Sequence, residues 1–96
     1  MIRHVVFFKF KPEISASDRD SGIAALRALP GKIDLIRTFE LGEDVLCSPR
    51  SWDLVLIATY DNLASLQKYA DHPEHVPVAA LLKSLCETIG SVDYEC

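Results

Sequence analysis

A chain of 96 residues with 49% hydrophobic and 25% charged side chains suits one folded domain, residues 1–96, and excludes a disordered segment. Its formal charge of −4, with no run of lysine or arginine, argues against nucleic acid or an anionic membrane as partner. Three widely spaced cysteines, Cys47, Cys86 and Cys96, form neither a disulfide framework nor a zinc motif, and no stretch approaches roughly 20 apolar residues, the length that crosses a bilayer. The opening MIRHVVFFKFK lacks the pattern of a signal peptide, so the expected compartment is the reducing cytoplasm.

Residues 2–11, IRHVVFFKFK, read as a strand. Alternation puts Ile2, His4, Val6, Phe8 and Phe10 on one face and Arg3, Val5, Phe7, Lys9 and Lys11 on the other. Both faces are apolar at their middle, so both are expected to be covered. A helix follows, capped by Ser15 or Ser17, with Ile23, Leu26 and Leu29 as its apolar stripe and Pro30-Gly31 as its stop. KIDLIRTFELG, 32–42, alternates as a second strand, and SWDLVLIATYD, 51–61, with Leu54, Val55, Leu56 and Ile57 in a continuous run, reads as a third, central one. Asp61 or Asn62 then caps a short helix carrying Leu63, Leu66 and Tyr69. Pro77 suits the first turn of a last helix with Leu81, Leu82, Leu85 and Ile89 on its apolar face, broken at Gly90. SVDYEC closes the chain as a short strand.

The order β-α-β-β-α-α-β defines an α+β, ferredoxin-like domain, an antiparallel sheet with its helices on one face. The opposite face carries Val5, Phe7 and Ile36, too apolar to leave in water. The expectation is a homodimer, sheet against sheet. Trp52, at the start of a strand, suits packing or that interface.

The stretch YADHPEH, from Tyr69 to His75, gathers a tyrosine and two of the three histidines. A neutral imidazole titrates near working pH and can remove a proton alpha to a carbonyl, and a phenol can donate to the oxyanion that forms. The same residues have a structural reading: His72 before Pro73 suits a helix cap, and Tyr69 and His75 can be half-buried groups with backbone partners. His72 and His75 share a helical spacing that His4 could join, but no cysteine or carboxylate completes a set, so no metal is expected. Nothing fixes a haem cavity, and phosphate loops, nucleophile elbows and nucleotide fingerprints are absent. No cofactor is expected.

HVVFFKFK (4–11), LPG (29–31), ELGEDV (40–45) and above all LQKYADHPEHVPV (66–78) resemble the stress-responsive dimeric α/β-barrel (Dabb) family, in order and over essentially the whole chain. The resemblance implies a ferredoxin-like monomer whose sheet packs against a partner's in a homodimeric α/β barrel. One branch, plant olivetolic acid cyclase, closes a linear poly-β-ketide into an aromatic acid by an aldol condensation. By motif position its catalytic tyrosine and histidine fall on Tyr69 and His75. The resemblance puts His4 in the same pocket, with Val6, Phe8, Ile23, Leu26 and Leu56 as walls, and His72 is counted with the ligand-facing residues. Ile23 and Leu26 replace aromatic walls, which favours an open pocket. The expected function is binding of a small carbonyl or polyketide-like molecule with cofactor-free cyclase or proton-transfer chemistry. The alternative is a non-catalytic stress protein whose pocket its own side chains fill.

Overall fold

The strand β1, Ile2–Phe10, is the spine of the molecule in a computed structural model that describes all residues, Met1–Cys96. Ile2, Val6, Phe8 and Phe10 are buried on one face, as alternation requires, and Arg3, Val5, Phe7 and Lys9 take the other. α1, Ala16–Arg27, starts at Ser15, whose hydroxyl oxygen accepts the Asp18 N–H at 3.0 Å. α2, Leu29–Lys32, is a single turn; β2 is Thr38–Glu43 and β3 is Leu54–Tyr60. α3, Leu63–Ala70, is capped by the Asn62 side chain; α4, Val76–Leu85, leads directly into β4, Cys86–Glu95.

All strand pairs are antiparallel, in the order β2-β3-β1-β4, which is the ferredoxin-like arrangement. The core lies between this sheet and the helices, where Phe8, Leu26, Leu29, Ile33, Leu54, Leu56 and Leu82 are almost wholly removed from water. α1 and α4 approach closely at Gly22, where a Cβ would stand 2.8 Å from the Leu85 Cδ1. Glycine inside a helix costs about 1 kcal/mol relative to alanine, but here it admits the neighbouring helix.

Two expected boundaries are corrected. The 32–42 segment is not one strand. Pro30 fits the first turn of α2 rather than stopping helical structure, and the chain then runs irregularly until Thr38. Ile33 is buried there, and Leu35 and Ile36 pack against the core. Ile36 therefore does not lie on the open sheet face. The last helix also ends earlier than expected, at Leu85: Cys86 is already extended (φ −107, ψ 142), and β4 pairs with β1 from Phe10↔Cys86 to Ile2↔Glu95. Ile89 and Gly90 are strand residues. Ladder hydrogen bonds along all of β1 outweigh the helical spacing of Leu85 and Ile89.

The face of the sheet away from the helices is apolar. Val5 pairs with Ile57 and Val92, Phe7 with Val55 and Gly90, and Trp52 lies 5.7 Å from the Phe7 ring. No helix is long and apolar enough to cross a membrane.

Candidate functional site

The break between α3 and α4 is built by His72. Its N–H donates to the Tyr69 carbonyl at 3.1 Å, and its own carbonyl accepts from His75 at 2.9 Å and Val76 at 3.0 Å. Its ring Nδ1 accepts the Glu74 N–H at 3.0 Å. His72 ends one helix and opens the next, with its ring nitrogen committed to the backbone.

That turn folds His75 back against α3. The two rings of Tyr69 and His75 lie 4.3 Å apart, inclined at 43°. The His75 Nδ1–H donates to the Ala70 carbonyl at 2.9 Å. A carbonyl only accepts, so the proton of the neutral ring is on Nδ1 and Nε2 holds the free lone pair. Burial shifts the His75 pKa down from its ordinary value, and His4 and His72 push the same way, against the opposing Ala70 hydrogen bond. Burial raises the Tyr69 phenol, which is 2% exposed. At neutral pH the pair is therefore an uncharged imidazole beside a protonated phenol.

His4 comes from the sheet. Its ring stands 6.2 Å from Tyr69, and Nδ1 pairs with the Asp93 carboxylate, which faces it across the β1–β4 register. Between sheet and helices is a cavity of about 220 Å³. Of the residues expected there, His4, Val6, Phe8, Leu26, Leu56, Tyr69 and His75 line it, while Ile23 is buried in the core beside it and His72 is not among its walls. Val78, Ala79, Leu82 and Lys83 of α4, and Ile89 and Ser91 of β4, complete the lining. The sequence reading missed these, and missed Asp93. The apolar spacing of α4 signals Leu82, whereas Ile89, Ser91 and Asp93 depend on the register of β4.

The lining is mostly apolar with four polar residues, His4, His75, Lys83 and Ser91, beside the Tyr69 phenol. No group of three or more histidine, cysteine or carboxylate side chains converges as a metal site requires. Cys86 is buried, and burial pushes its thiol up to about 11, so it is packing rather than a nucleophile.

This is a small α+β domain with a partly polar pocket between a four-stranded sheet and its helices. The chain belongs to the stress responsive A/B barrel domain (Dabb) family, whose model matches residues 2–96. It is similar to an uncharacterized protein of Streptomyces coelicolor, 30% identical over 97 residues and covering 99% of each chain. It is also similar to olivetolic acid cyclase of Cannabis sativa, 23% identical over 95 residues, covering 97% of this chain and 94% of the cyclase. Among solved structures, a dimeric ferredoxin-like protein of unknown function from Bacteroides fragilis superimposes with a TM-score of 0.83 at 34% identity, covering 99% of this chain and 95% of that one. A hydroxynitrile lyase from Passiflora edulis shares the fold with a TM-score of 0.85 at 22% identity, covering 97% and 90%.

Proposed function

We propose that this protein binds a small carbonyl compound of β-keto or polyketide-like character and moves a proton on it without a cofactor. His75 Nε2 is the base that removes the proton alpha to the carbonyl. The Tyr69 hydroxyl donates to the oxygen as negative charge develops, and the imidazolium then returns the proton to the product. Closing a poly-β-ketide chain by aldol chemistry needs these same two steps. His4, held by Asp93, orients a polar group of the ligand.

One observation carries the reading. The Nδ1–H of His75 is bound to the Ala70 carbonyl, so the remaining nitrogen is a free base on a ring packed against a phenol beside a cavity. A volume of about 220 Å³ suits a compact ligand better than a large cofactor. The fold itself is compatible with catalysis, since a cyclase and a hydroxynitrile lyase share it.

The working unit is a homodimer in the cytoplasm, closed into an α/β barrel through the face of Val5, Phe7, Ile57 and Val92. A dimeric relative of the same fold and the exposure of Val92 and Tyr94 on that face support this. The same apolar face favours a second reading, a non-catalytic stress protein in which the dimer is the functional unit.

A thermal-shift screen of β-keto acids, linear polyketide mimics and phenolic acids, on wild type and His75→Ala, separates the two. The expected result is a stabilising shift in wild type that is lost in the variant. A shift that survives unchanged in His75→Ala removes His75 from the site and with it the proposed chemistry.

A further inference from the structure

Tyr60 ends β3 with 0% of its surface exposed, and its hydroxyl has no hydrogen-bond partner. It is the one buried side-chain polar atom of the protein in that condition. Such a group has lost its water hydrogen bonds on folding with nothing in exchange. Phenylalanine would fill nearly the same space at no such cost. The hydroxyl thus needs a reason other than packing.

Its surroundings supply one. The Tyr60 ring lies 4.9 Å from that of Tyr69 and 6.1 Å from that of His4. Both neighbours line the cavity, and Tyr60 itself does not. Tyr60 therefore stands one side chain removed from the ligand, behind the proposed donor. The nearer neighbour, Tyr69, carries a phenolic oxygen able to accept a hydrogen bond while its own O–H points elsewhere.

We propose that Tyr60 is a positioning residue of this site: its hydroxyl donates to the phenolic oxygen of Tyr69 and so directs the Tyr69 proton into the cavity. The proposal rests on the reading of Tyr69 as the donor. A small shift of the two packed rings, not hydroxyl rotation alone, brings the oxygens within reach of this bond, and no proton changes owner. The chain Tyr60 O–H to Tyr69 O–H to ligand oxygen polarises along its length, so Tyr69 is a stronger donor than an isolated phenol. As the ligand oxygen gains negative charge, the charge drawn onto Tyr69 is shared with Tyr60. An otherwise orphaned hydroxyl is thereby kept in the fold because it orders the Tyr69 donor, before as well as after the site is engaged.

The test compares wild type with Tyr60→Phe, which retains the ring. Both are labelled with tyrosine carrying ¹³C at Cζ, and the Tyr69 resonance is assigned with Tyr69→Phe. The probe is 3-oxohexanoate, and thermal midpoint is followed alongside. The expected result has three parts. The Tyr69 Cζ resonance moves in Tyr60→Phe even without the probe, the thermal midpoint is unchanged or higher, and the probe binds about tenfold more weakly. An unmoved Tyr69 resonance overturns the proposal, whatever the midpoint does. A moved resonance with unchanged probe affinity overturns the positioning role. If wild type fails to bind the probe while the resonance moves, the tyrosine pair stands and the reading of the pocket as a β-keto acid site falls.

Discussion

Tyr69 and His75 pack ring against ring, 4.3 Å between centres and inclined at 43°, although one lies in the last turn of α3 and the other precedes α4. The turn at His72 makes this contact, and the Ala70 carbonyl fixes the imidazole within it. The base is thus held by a backbone hydrogen bond and the donor by burial in the core, which keeps both in place before a ligand arrives.

Removing either partner should affect chemistry more than folding. Loss of a general base typically lowers a rate by about 10²–10⁴, and loss of one oxyanion donor by about 10²–10³. His75→Ala is expected to reduce proton exchange on a β-keto acid by at least about a hundredfold, and Tyr69→Phe by about a hundredfold. Circular dichroism should report the same fold for both, and initial exchange rates measured by NMR check the claim.

His72 should behave in the opposite way. Its ring accepts the Glu74 N–H at the entrance to α4 and does not face the cavity. His72→Ala is expected to cost about 1 kcal/mol of stability, as the loss of a cap does, with the exchange rate kept within about twofold. His72→Asn, which retains an acceptor, should recover part of the stability. Denaturant melts paired with rate measurements separate this role from that of His75.

The pH dependence follows from the lowered His75 pKa. In the unfolded chain the group titrates at about 6.5, and burial keeps it neutral below that in the native state. The unfolded state then binds more protons, so the contribution of His75 to stability is fully present above about pH 6.5. It declines as the pH falls from there toward the lower native value. The thermal midpoint of wild type should drop through this window more steeply than that of His75→Gln. The acid limb of the rate should likewise lie below pH 6.5, the value of an ordinary histidine.

The apolar sheet face supports a prediction about association. Phe7 packs on Trp52 at 5.7 Å and stands between Val55 and Gly90 on that face. Phe7→Asp would bury an unpaired charge in a sheet-to-sheet contact, so it should convert the dimer to monomer at micromolar concentration. Light scattering on wild type and variant reads this directly, and a monomeric wild type would exclude the homodimer.

Gly22 tests the helix packing. A Cβ there meets Leu85 Cδ1 at 2.8 Å and Leu82 Cδ1 at 3.6 Å, so Gly22→Val should overpack the α1–α4 contact and cost about 1–3 kcal/mol. Chemical denaturation measures it.

Much of this architecture is written locally. Period-two alternation marks β1, the continuous apolar run from Leu54 to Ile57 marks β3, Ser15 and Asn62 are caps that their own helices require, and HPEH is a turn because of His72 and Pro73. What local pattern misreports depends on distant partners. Ile33 and Leu35 alternate like a strand, yet they follow a helical turn and face the core as irregular chain. Leu85 and Ile89 are spaced like a helix, yet pairing with β1 makes the second a strand residue. The site divides in the same way. Tyr69, His75 and His4 stand out by residue type, whereas Asp93, Ser91 and Ile89 reach it only through the β4 register. Tyr60 is inconspicuous among the apolar residues of β3 until its hydroxyl is found without a partner.

The most direct test of the central claim is deuterium incorporation at the alpha carbon of 3-oxohexanoate in D₂O, followed by NMR with wild type, His75→Ala and buffer alone. The account predicts exchange well above buffer with wild type and a return toward the buffer rate with His75→Ala. Exchange at the buffer rate with wild type, for a compound that a thermal shift shows to be bound, would contradict it.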